Sequence, residues 1–321
     1  MDWQGRKVLV TGGAGFLGSN LCLELVRRGA HVVALDGFLF GGGANPANLE
    51  GADVELVRAD IRETDMRLVC EGASVIFNLA AQTSHMGGQR DPLVDIAVNA
   101  VAQVRLIQAA REAAPEAIVV HASTRQFYGT PHRLPVDEEH PVNPPDANGV
   151  SKFAGEQYWM IENRTVGRPV VSLRLTNCYG PRLRIRDARQ TFLGIWIRSV
   201  LEGKPFEVWG GEQLRDMTYV DDVTEAFILA AECKACHGHI YNIGGFPPAS
   251  LHDLAELMVR LSGGSYVTRE FPAERKRIDI GSYYADDSAF RKAAGWAPRV
   301  PLEEGIRRSL EWYGSRMAQY I

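Results

Sequence analysis

A short apolar strand, Lys7-Val8-Leu9-Val10, runs into Thr11-Gly12-Gly13-Ala14-Gly15-Phe16-Leu17-Gly18, and an apolar-periodic helix follows from Leu17 to Arg28. This is G-x-x-G-x-x-G between a strand and a helix, and few folds accommodate it. Gly12 permits the tight turn, Gly15 lets the backbone approach a pyrophosphate, and Gly18 lets the helix pack close to the sheet. The helix N-terminus then offers free N–H groups to an anion, with Phe16 and Leu17 in the same site. A second strand, His31 to Leu35, leads to Asp36. An acid there accepts both ribose hydroxyls and repels a 2′-phosphate, so the expected cofactor is NAD rather than NADP.

Short apolar runs at Val54 to Val57, Val75 to Asn78 and Ala117 to His121 alternate with helix patterns. That alternation predicts α/β architecture: a Rossmann-type, doubly wound parallel sheet with right-handed crossovers. Asp60-Ile61 and Leu79-Ala80-Ala81 follow the third and fourth strands, where such a sheet places its ligand, and they join the cofactor set. The second half is less regular. We expect the NAD-binding unit at 1–173 plus 212–245, and a smaller α/β C-terminal substrate unit at 174–211 plus 246–321.

Composition narrows the alternatives. A net charge of -4 gives no general field for nucleic acid. The chain has no 18-residue apolar run and no apolar leader near Met1, which predicts no membrane span and a cytoplasmic setting. Five scattered cysteines fit a reducing compartment. Cys233-Lys234-Ala235-Cys236-His237 matches a haem-attachment spacing but lies between a helix pattern and the strand Ile240-Tyr241-Asn242. It reads as a helix end and turn, and with no second Cys pair we expect no metal.

TGGAGFLGS at 11–19, LAAQ at 79–82, HASTRQFYG at 121–129, VSK at 150–152, RLTNCYGPR at 174–182, RDMTYVDDV at 215–223 and GWAP at 295–298 resemble, in this order, the extended short-chain dehydrogenase/reductase family. The likeness is to its NAD-dependent sugar-nucleotide epimerases and dehydratases. It implies a Rossmann domain holding NAD and a small domain closing over a nucleoside diphosphate sugar. It also implies that Thr124 hydrogen-bonds the reacting sugar hydroxyl and that Lys152 binds the nicotinamide ribose. Asn177 then falls in the phosphate region and Arg215 on the diphosphate, with Arg277 and Asp279 near a further anchor.

One position departs from the pattern. The family carries a tyrosine four residues before the lysine, and here that residue is Asn148. A carboxamide orients a hydroxyl or carbonyl but cannot accept a proton. Three readings stay open: another base, foremost His85 in the loop after the fourth strand; rewired carbonyl chemistry; or a non-catalytic binder of NAD and sugar nucleotide. Tyr128 is near in the motif, and Thr124 needs a base of its own.

The segment after Thr124 bears on the reaction. Dehydrating relatives follow the threonine with Asp-Glu, and decarboxylating ones keep a Glu. Here Arg125 and Gln126 stand instead. By elimination the expectation is an epimerase, at C4, working through a transient ketone, with a dehydratase or dehydrogenase as the alternative. Arg125 hints at an anionic group nearby. The helix patterns Leu93 to Ala113 and Val150 to Asn163 carry apolar residues on more than one face, among them Leu106, Trp159 and Ile161. They predict a homodimer joined through a four-helix bundle, as in related epimerases.

Overall fold

The computed structural model describes residues 1–39, 42–187, 191–245 and 247–321. Its strands are β1 Lys7–Thr11, β2 His31–Asp36, β3 Val54–Arg58, β4 Val75–Asn78, β5 Ile118–Thr124, β6 Val170–Leu175, β7 Asn177–Tyr179, β8 Phe206–Trp209, β9 Leu214–Arg215, β10 Met217–Tyr219, β11 Ile240–Ile243, β12 Ala249–Ser250 and β13 Tyr266–Arg269. Its α-helices are α1 Phe16–Arg27, α2 Met66–Cys70, α3 His85–Arg90, α4 Pro92–Ile96, α5 Ala102–Ala113, α6 Ala147–Val166, α7 Phe192–Leu201, α8 Val220–Glu232, α9 Leu251–Ser262, α10 Ala273–Lys276, α11 Ser288–Ala294 and α12 Leu302–Gly314.

Seven strands form one parallel sheet in the order β11-β6-β5-β4-β1-β2-β3. Continuous apolar runs such as Val8-Leu9-Val10 suit it because both faces are covered. On one face α1 and α8 bury Leu21, Leu25, Val223 and Phe227 against Val10, Phe77 and Val120. On the other, α2, α5 and α6 bury Val69, Leu106 and Trp159 against Leu9, Ile76 and Val119. A second core gathers Trp196 of α7, Phe206 of β8, Leu254 of α9 and Ile306 of α12. Phe290 and Trp296, from the expected C-terminal unit, pack into the first core instead.

The helix expected from Leu93 to Ala113 exists, but it has a wide π turn at Ala97–Val101 between α4 and α5. Such turns add a residue locally and re-aim side chains. Here the widened turn carries Asn99, whose Oδ1 accepts from Gln82 N at 2.9 Å. This helix is apolar and long enough to cross a membrane, but half of its apolar window is buried in the protein. Leu106 and Trp159 are fully buried within the chain and cannot face a partner, a correction to the expected dimer contacts. Ile161 is exposed, together with Leu93, Ile96, Val101 and Val150.

The run Cys233–His237 is a helix end and a short turn, with Cys236 buried. Of the arginine-rich Arg182–Gln190 stretch, residues 188–190 lie outside the described residues.

Candidate functional site

The strand order reverses between β4 and β1, and an open α/β sheet forms its crevice at that switch. One hydroxyl ties the two strand ends together. Thr11 Oγ1 donates to Asn78 Oδ1 at 2.8 Å and accepts from Leu79 N at 3.2 Å and Ala80 N at 3.1 Å. Above them opens a cleft of about 830 Å³. Gly12, Gly15, Phe16, Leu17, Gly18, Asp36, Asp60, Ile61, Leu79, Ala80, Ala81, His85, Thr124, Arg125, Asn148, Lys152 and Asn177 all line it.

The phosphate end is shaped by close backbone approach. Gly12 has φ +69°, and a Cβ there would meet Leu79 O at 2.9 Å. A Cβ on Gly18 would run into Gly12 O. The N-cap of α1, Gly15, has no side-chain cap, which leaves the first N–H groups of the helix to an anion. Asp36 accepts from Ala14 N at 3.1 Å and Phe38 N at 3.0 Å. Burial pushes its carboxyl up, and those N–H groups oppose the shift. Asp60 is bound by Arg62 Nη2 at 2.6 Å and lies below the usual carboxylate range. A dinucleotide fits this wall: glycine backbone for the pyrophosphate, Asp36 for the adenosine ribose, small residues at 80 and 81 beneath the second half.

At the other end of the cleft Lys152 projects from α6. Burial pushes its ammonium down to about 8, and the charge of Asp95 opposes the shift. Asn148, one turn earlier, is 1 % exposed and donates from Nδ2 to Gln82 O at 2.9 Å. Asn99 Nδ2 donates to the same carbonyl at 3.2 Å. Asn148 is thus a clip between α6 and the loop after β4.

His85 begins α3, and its Nδ1 lies 2.8 Å from Asp146 Oδ2. Asp146 also caps α6, where its Oδ1 accepts from Gly149 N at 2.7 Å. Burial works to raise the Asp146 carboxyl, but the hydrogen bond and charge of His85 outweigh it and hold the group below the ordinary value. The ion thus fixes the imidazole with Nδ1 toward the carboxylate and Nε2 available to a ligand. Tyr128 cannot serve as base. It is fully buried, it accepts from Arg174 Nη1 at 2.5 Å and donates to Asn242 Oδ1 at 3.0 Å, and burial pushes its phenol up to about 12.

The remaining expected residues fall in different places. Arg125 donates from Nη2 to Asn177 Oδ1 at 2.9 Å, and Asn177 Nδ2 donates to Asp216 O at 3.1 Å, so both ends of that carboxamide are spent inside the protein. Arg215 is buried outside the cleft lining, bound to Leu214 O, Gly281 O and, at 3.1 Å, Asp279 Oδ1. Arg277 is exposed and does not line the cleft; the arginine of that segment that does is Arg275, stacked 4.7 Å over Trp209.

Sequence reasoning missed Asp146 and Asp95. Asp95 is fully buried, and burial raises its carboxyl while Asn148, a donor beside it, opposes the shift. A Cβ on Gly88 would run into it. The available signal was a polar stripe, Asp95, Asn99 and Gln103, at helical spacing through an otherwise apolar helix.

Comparison with known proteins agrees with this geometry. A family model described as the NAD dependent epimerase/dehydratase family matches residues 8–244. A UDP-glucose 4-epimerase of Mycolicibacterium smegmatis is 34% identical, over 97% of this chain and 99% of that protein. A putative UDP-glucose 4-epimerase of Methanocaldococcus jannaschii is 32% identical, over 95% of this chain and 97% of that one. Among solved structures, the UDP-glucose 4-epimerase of Thermotoga maritima with UDP-glucose superposes with a TM-score of 0.89 at 26% identity, covering 97% of this chain and 99% of that chain.

The cofactor contact that the resemblance implies for Lys152 predicts a pH limit on binding. The pKa of Lys152 is lowered on folding, so the burial cost on the ammonium is present below about 8 and is relieved as the amine neutralises above it. Only the ammonium gives full charge and three donors to the cofactor. NAD affinity of the free protein should be flat below pH 8 and fall by about tenfold per pH unit above it. Calorimetry on wild type and Lys152→Met checks this: the variant should bind weakly without that slope. An affinity flat to pH 10 in the wild type removes the assignment.

Proposed function

This chain belongs to the NAD dependent epimerase/dehydratase family, and we propose that it epimerises a nucleoside diphosphate sugar, at C4, through a transient ketone. The observation that carries the reading is the His85–Asp146 pair, 2.8 Å apart, in the cleft that also holds Thr124, Lys152 and the glycine loop. It supplies a proton acceptor where Asn148 cannot. The segment after Thr124 has no carboxylate to expel water, which favours epimerisation over dehydration.

Bound NAD supplies the group that takes up and returns a hydride. The chain does the rest. Lys152 holds positive charge beside the cofactor. Thr124 orients the sugar hydroxyl. His85 Nε2 takes the hydroxyl proton as the ketone forms, with Asp146 stabilising the imidazolium, and gives it back once the keto sugar has turned over in the cleft. Asn148 holds the loop after β4 in register with α6 and carries no proton.

Product analysis after incubation with UDP-, dTDP-, CDP- and GDP-sugars tests the reaction. We expect the C4 isomer without net NADH. Net NADH or loss of water points to a dehydrogenase or dehydratase, and ligand-induced thermal stabilisation without product to a non-catalytic binder. His85→Gln should cut kcat by about 10²–10⁴-fold. Full kcat in that variant overturns the assignment of the base.

We also infer a homodimer. Leu93, Ile96 and Val101 on the α4–α5 helix and Val150, Tyr158, Ile161 and Val166 on the adjoining α6 are exposed. A second copy of the chain is the occupant that two such helices, paired with their own copies, would bury. Sedimentation should give a dimer at micromolar concentration, and Leu93→Glu with Ile161→Arg a folded monomer. A wild-type monomer contradicts the inference.

A further inference from the structure

Arg125 is an unusual cation. It follows Thr124 directly and lines the same cleft. Among the described residues its side chain hydrogen-bonds to a neutral acceptor, Asn177 Oδ1, at 2.9 Å. Its guanidinium carbon lies over the Tyr283 ring, 4.9 Å from the centroid, so it is held in place on two sides. Nη1 is buried with no partner at all. The nearby acid, Asp216, makes no hydrogen bond to it and acts on it only by charge: Asp216 Oδ2 accepts from Ala285 N at 3.0 Å, and Thr176 stands beside the carboxylate as a donor. Three buried arginines behave differently. Arg174 is closed by Glu156 at 2.6 Å, Arg168 by Glu162 at 3.2 Å and Arg215 by Asp279 at 3.1 Å.

A half-buried guanidinium with no anion in hydrogen-bond reach is costly even with the charge of Asp216 nearby, and a planar fork of donors matches a carboxylate. The diphosphate does not need Arg125, because Arg275 reaches the cleft on its own. A neutral hexose brings no anion to this place.

We propose that Arg125 reads a carboxylate on the sugar, so that the substrate is an acidic sugar nucleotide, a nucleoside diphosphate uronate, rather than a neutral hexose derivative. This rests on the sugar-nucleotide reading above and adds the charge of the sugar to it. Asn177 is then a positioning residue. It orients the Arg125 fork from behind, and both ends of its carboxamide are committed to that task and to the backbone of Asp216.

The test is binding to NAD-loaded protein by calorimetry, which needs no turnover. The nucleotide is first chosen as whichever of UDP, dTDP, CDP and GDP binds most tightly. Its glucose and glucuronate esters and the free diphosphate are then titrated against wild type, Arg125→Met and Arg125→Lys. Wild type should prefer the glucuronate ester by about 10- to 100-fold, the worth of one charge-assisted hydrogen-bonded pair. Arg125→Met should lose that preference, and Arg125→Lys should keep part of it. Equal wild-type affinity for the two esters overturns the proposal without any variant, while the sugar-nucleotide reading stands. An Arg125→Met protein that weakens all three ligands equally makes Arg125 a diphosphate clamp and also overturns it. If none of the four nucleotides binds, the sugar-nucleotide reading itself falls, and this proposal with it.

Discussion

The seam between β1 and β4 is the constraint on which the rest hangs. The chain winds one way from β1 through β2 to β3, then crosses to β4 and winds the other way. Helices leave the sheet in opposite directions there, so the strand ends cannot be covered by their own connections. Thr11 closes the seam below with its hydroxyl, and Gly12 closes it above by packing against Leu79 O with no side chain between. The dinucleotide crevice is what remains open. Without glycine at 12 and 18 the α1 end would be pushed off the sheet, and the anion-binding N–H groups would move with it.

The second constraint lies across the cleft. Asp95, Asn99 and Gln103 put buried polar groups inside an apolar helix, and each has a consequence for the loop after β4 or for α6. Asn99 grips Gln82 at both N and O. Gln103 Oε1 accepts from Asn78 Nδ2 at 2.5 Å and Trp159 Nε1 at 3.2 Å. Asp95 lies beside Asn148, which acts on it as a donor, and its charge opposes the burial shift of Lys152. A buried polar network of this kind is costly if half-satisfied, and it fixes one arrangement when complete. Asn148 belongs to it as a second donor to Gln82 O. The residue at the expected tyrosine position is part of the scaffold, and in the function proposed above proton chemistry falls to His85 and Asp146, the latter at the N-terminus of the same helix.

Much of this was legible from residue order. The glycine loop, Asp36 and the strand–helix alternation dictate the sheet and the cofactor wall, because each depends on local geometry that only a few residue types satisfy. What was not legible depends on tertiary partners. Trp159 and Leu106 look like interface residues in a helix apolar on several faces, yet the core claims them. Arg277 and Arg275 are two residues apart in a short irregular segment, and no periodicity says which one faces the cleft. Asp146 reads as a helix cap, and it is one; its second oxygen meets His85 only because α3 folds back over α6. Asp95 was visible as part of a stripe at helical spacing, but a single acid in an apolar run carries no sign of where its face points.

The central claim is that proton transfer has moved from position 148 to the His85–Asp146 pair. The most direct measurement is the rate of NAD reduction in a single turnover with bound sugar nucleotide, compared at one pH among wild type, His85→Gln and Asn148→Ala. The account predicts a rate cut by about 10²–10⁴-fold in His85→Gln and largely kept in Asn148→Ala. A full rate in His85→Gln, or its loss in Asn148→Ala alone, would contradict it.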